Sequence, residues 1–157
     1  MTVTSGASTV PALSAAVVDR FLPEFERLDS IRIGISSGAK VPGLAAMRGV
    51  FSYAGRPIAT LQEGTWVSVY GWRGLERHRF PKPLGSRWLA TCEVPDLDVL
   101  PRRYPDAQTV IFKAGFASAA GQLLVWTLAG LVEMGLLASL SPFASPLNRL
   151  SGGWSPC

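Results

Sequence analysis

A chain of 157 residues, 48% hydrophobic and 17% charged, is too apolar to stay disordered and long enough to bury a core. Its charged fraction falls below the roughly 25% usual in soluble domains, so some apolar surface is expected to await a partner or a bilayer. The net charge of +4 comes from scattered basic residues and not from a block, which argues against nucleic acid as a partner.

Residues 1–16 have no basic n-region and no unbroken apolar run, so no secretory signal is read and the cytoplasm is the expected location. From Pro11, Leu13, Val17, Phe21 and Phe25 recur every four residues, the spacing of an amphipathic helix that Thr9 can cap and Pro23 should kink or end. Ile31, Ile33 and Ile35 alternate as in a strand. A loop of small residues, 36–43, leads to a short helix marked by Leu44, Met47, Phe51 and Ala54, with Gly55 as its C-cap. Ile58 to Trp72 then reads as a hairpin turning at Glu63-Gly64. Trp66, Tyr70 and Trp72 fall on this hairpin or at its end and by themselves read as aromatics of a core or an interface. Further strands are expected over 87–94 and 108–112, with a one-turn helix or ordered loop over 95–101 between them.

The last third changes character. Residues 114–132 carry no charge, and after Glu133 the uncharged run continues to Asn148. Its length suits either a membrane span or one long buried helix near the C-terminus. Glu133, Ser118, Gln122 and several glycines favour the buried helix. The whole is predicted to be a single α+β domain over residues 1–157, with a mixed, largely antiparallel sheet and helices packed on one face.

Chemistry-bearing motifs are sparse. No glycine-rich dinucleotide or P-loop signature is present; Gly34, Gly38 and Gly43 have the wrong spacing. His78 is the only histidine, so no site needing two imidazoles can form, and no serine sits in a nucleophile elbow. Cys92 and Cys157 make neither a disulfide framework nor a metal spacing and read as free thiols. Glu93, Asp96 and Asp98 are spaced as in a solvated loop. The loop at 36–40 is the better candidate: Ser36, Ser37 and Lys40 could hold a substrate carboxylate between a strand end and a helix start. No catalytic, cofactor-binding or metal-ligating residue is assigned.

Several segments, in order, resemble the second domain of bacterial saccharopine dehydrogenase-like oxidoreductases: 6–19, 28–57, 64–72 (GTWVSVYGW), 86–105 and 109–116 (TVIFKAGF). The resemblance implies an NADP-dependent enzyme whose substrate-binding and dimerising α+β domain is joined to a Rossmann domain, and it makes Trp66, Tyr70 and Trp72 candidates for an interface or a pocket wall. This chain resembles only the part after the nucleotide fingerprint. It is therefore expected to hold no cofactor itself, to be inactive alone, and to associate as a homodimer with its nucleotide-binding domain missing. The alternatives are a membrane-associated protein using residues 114–140, or a scaffold binding an anionic ligand through Arg73, Arg77, Arg79, Arg102 and Arg103.

Overall fold

The structure, a computed structural model, describes residues 9–36 and 44–143. Among them the order is α1 (Ser14–Phe21), β1 (Ser30–Ser36), α2 (Leu44–Tyr53), β2 (Pro57–Gln62), β3 (Thr65–Tyr70) and β4 (Glu76–Arg79). There follow β5 (Ser86–Thr91), α3 (Asp96–Arg103), β6 (Thr109–Gly115) and α4 (Ala119–Glu133). The strands form one six-stranded sheet, β3-β2-β6-β5-β4, with β1 also paired to β6. The β2–β6, β4–β5 and β5–β6 registers are antiparallel, so the class is α+β on an antiparallel sheet. Internal contacts group the residues into two compact units, each drawn from three stretches of chain.

The first unit comprises residues within Met1–Ile33, Ala59–Ser68 and Glu93–Phe112. The hairpin turns where the sequence places it. Glu63 and Gly64 both have positive φ, 51° and 76°, the conformation of a tight turn whose twist matches its strands. The Gly64 amide donates to the Gln108 carbonyl at 2.8 Å, which ties the turn to the start of β6. Leu61 faces Val110 across β2 and β6, and both are buried with Leu97, Leu100 and Phe112. The expected one-turn helix at 95–101 is the eight-residue α3, which continues through Pro101 to Arg103.

Helix α1 ends before a 3₁₀ turn over Leu22–Glu24 that contains Pro23, as the missing donor requires. Its orientation departs from the usual rule. Leu13, Val17, Phe21 and Phe25 are all exposed, whereas Pro11, Ser14, Ala15 and Val18 are half-buried. The side nearer the protein is held by polar contacts: Asp19 receives Arg103 at 2.5 Å and the Tyr104 hydroxyl at 2.6 Å. Those two donors, Tyr104 first, lower the Asp19 carboxyl below its ordinary value.

Asp96 is fully buried at the start of α3, and neither carboxylate oxygen has a partner among the described residues. Burial raises its pKa. Ser14 would pull it back down, but its single hydroxyl proton is donated to the Pro11 carbonyl at 2.8 Å. A carboxyl whose folded pKa lies above its unfolded value costs stability as pH rises through that interval, and the full cost persists at higher pH. Asp96→Asn is therefore expected to stabilise the fold by about 1 kcal/mol at pH 7 by removing the unpaired buried charge. The gain should vanish at pH 3; urea denaturation at the two pH values checks it.

The second unit comprises residues within Gly34–Ile58, Val69–Cys92 and Lys113–Cys157. Met47, Phe51 and Ala54 are buried at the expected helical spacing, and α2 closes at Gly55 with φ of +72°. Cys92 is a buried thiol 3.0 Å from the Tyr53 hydroxyl.

The expected long apolar helix near the C-terminus is not there. The apolar run is divided between the end of β6, the 15-residue α4, a turn at Gly135 with φ of +74° and a 3₁₀ turn at Ser141–Phe143. The physical reason is twofold. Ser118 caps α4, so the helix starts only at Ala119, and Gly135 adopts a backbone that ends it. Among the described residues no helix is long and apolar enough to cross a membrane. Glu133, at the end of α4, is taken by Arg73 at 2.5 Å, and that guanidinium also donates to the Trp126 carbonyl and lies 4.6 Å from its ring. The charge that interrupts the apolar run is thus a half-buried ion pair.

Candidate functional site

The second unit contains a cavity of about 300 Å³ where β6 passes into α4, lined by Arg77, Ser86, Arg87, Trp88, Phe116, Ala117 and Ala119. Strand register explains why distant residues meet here. Arg77 pairs with Trp88 across β4 and β5, and Ala90 pairs with Ala114 across β5 and β6. Phe116, the residue after β6, lines the same cavity, so Arg77 and Trp88 from two paired strands meet an aromatic ring from the β6–α4 connection.

The Phe116 ring is held from behind. Trp72 stacks on it at 5.0 Å with planes 12° apart, and the Phe116 amide donates to the buried Gln122 side chain at 3.0 Å. Trp72 itself is 2% exposed and has a positive φ of 59°. Its amide donates to the Thr91 carbonyl, and Thr91 returns a bond to the Arg73 carbonyl. This clamp lets the chain leave β3 with the indole turned inward behind Phe116.

The cavity is electropositive. Neither Arg77 nor Arg87 has an ion pair among the described residues, and the Arg87 Nε is buried with no acceptor. Ser118 caps α4: its hydroxyl accepts from the Gly121 amide at 3.3 Å and its carbonyl from Gln122 at 3.0 Å. The amides of Ala119 and Ala120 keep no partner within the helix, and the positive end of its dipole lies at the Ala119 wall. The Arg77 guanidinium, helix amides without a partner in the helix and a dipole end at this recess suit a carboxylate or similar anion. Among the described residues no Asp or Glu lines the cavity.

The sequence-predicted residues are placed unevenly. Ser36 ends β1 in the second unit, while Ser37 and Lys40 lie outside the described residues. Trp66 belongs to the first unit and is 51% exposed; Tyr70, in the second, is exposed as well. Trp72 backs the cavity wall through Phe116 and does not reach the surface. Of the five arginines read as anion-binding candidates, Arg73 and Arg103 are engaged by Glu133 and Asp19. Arg77, Arg79 and Arg102 have no ion pair among the described residues, and of these three Arg77 lines the cavity. His78 is exposed on β4, edge-on to Phe80 at 4.6 Å. Arg87, Trp88 and Phe116 were not singled out as site residues. The signal that finds them is the register of two hairpin-like pairings, invisible until β4 and β5 are aligned.

No family model matches the chain, and no curated protein matches it either.

Proposed function

We propose that this chain is the substrate-binding, dimer-forming domain of an NAD(P)-dependent oxidoreductase of the saccharopine dehydrogenase-like kind, inactive without a nucleotide-binding domain. In this reading the helices cover one face of the sheet and the molecule is cytoplasmic. The observation that carries it is the cavity at the start of α4 lined by Arg77, whose guanidinium has no ion pair among the described residues, a place for the carboxylate of a small substrate. The chain-order resemblance of segments 28–57, 86–105 and 109–116 supports it. So do the exposed large apolar side chains of α1 and of Trp66, which in a monomer would face water.

Among the described residues, the strand-to-helix connection at the start of α4 does not fit the dinucleotide. At the β6-to-α4 connection the chain reads Gly115-Phe116-Ala117-Ser118-Ala119-Ala120-Gly121, with side chains where a pyrophosphate needs bare backbone. This domain's part is to bind and orient the substrate anion; the hydride would come from a nicotinamide held elsewhere. Calorimetric titration with NADPH is expected to show no submillimolar binding, and light scattering is expected to give a dimer mass. Submillimolar NADPH affinity would contradict the division of labour, and a monomer mass at working concentration would contradict the dimer.

A further inference from the structure

The walls of the cavity say more than its charge. We propose that it takes a flat carboxylate lacking an ammonium group, an aryl or conjugated acid, with its carboxylate on Arg77 and its ring against Trp88 and Phe116. This deepens the anion-binding reading above and rests on it.

Three features select the class. Arg77 and Trp88 stand opposite each other on neighbouring strands, about 4.8 Å apart, and Phe116 lines the same cavity, so one donor and two aromatic side chains face a single ligand. A six-membered ring bearing one acid group meets both kinds of wall at once. The aromatic wall is already ordered, because Trp72 stacks on Phe116 and Gln122 holds its amide, so little freedom is lost when a planar ligand arrives. The absence of any lining carboxylate leaves an amino acid's ammonium without a counter-charge, so an uncharged or keto group at that position is preferred. A phosphate ester fits less well, since half of the wall offers it only ring faces and methyl groups.

The test compares benzoate with cyclohexanecarboxylate, which carry the same charge but differ in flatness. Each is titrated into the intact chain while the indole N–H signal of Trp88 is followed by NMR, assigned with Trp88→Phe. Benzoate is expected to bind about three- to tenfold tighter, the range of an offset stack. The preference should disappear in Trp88→Leu, with Phe116→Leu as the second variant if the first does not fold. Equal affinities in the wild type, or a preference that survives both substitutions, would overturn the flat-acid assignment while leaving the anion-binding reading intact. Failure of both acids to bind would overturn the two together.

Discussion

The substitution Arg77→Ala is expected to weaken carboxylate binding about 10- to 100-fold, because a charge-assisted donor is removed from a recess that supplies few others. Fold stability should move by less than about 1 kcal/mol, since the exposed Arg77 guanidinium has no ion pair among the described residues. Wild-type affinity should also fall with added salt, as befits charges near the surface. Calorimetry with pyruvate as the probe, beside urea denaturation, separates the two quantities. Loss of affinity accompanied by an equal loss of stability would mean that Arg77 holds the fold and not a ligand.

Gly55→Ala is expected to be the most damaging small change in the second unit. Gly55 has φ of +72°, where an L side chain costs about 1–2 kcal/mol. An added Cβ would also stand 2.2 Å from the Ala129 carbonyl oxygen and 2.7 Å from the Val132 Cβ. The backbone of α4 cannot step aside as a flexible side chain can, and overpacking of this kind adds about 1–3 kcal/mol. The sum, roughly 2–5 kcal/mol, is a large share of what holds a domain of this size together. Thermal denaturation followed by near-ultraviolet circular dichroism would report it through the buried Trp72. A change of less than about 0.5 kcal/mol would mean that α4 does not pass Gly55 as described.

How much of this was legible in the sequence follows the range of the interactions. The hairpin turn at Glu63-Gly64 and the end of α2 at Gly55 rest on backbone conformations that glycine marks locally, and both stand where expected. The stop at Pro23 is local too. Composition misled over residues 114–140, because apolar character alone does not distinguish a buried strand from a helix, and β6 claimed the front of the run. Helix α1 misled differently. Periodicity correctly gave a helix with an apolar stripe but not which way the stripe faces, which Asp19, Arg103 and Tyr104 decide from 84 and 85 residues apart. The cavity depended on register, a non-local quantity. Trp72 shows the same limit: it ends a strand-like run, yet its positive φ turns it inward, which spacing alone does not tell.

The central claim is that the recess at the start of α4 holds an organic anion. Its most direct test is a titration of the wild-type chain with pyruvate at low salt, followed by ¹H–¹⁵N NMR. The account predicts saturable shifts concentrated on the amides of Phe116, Ala117, Ala119 and Ala120 and on the Trp88 indole. Shifts that never saturate, or that appear equally at Arg20, Arg27 and Arg102 on the exposed surface of the first unit, would contradict it.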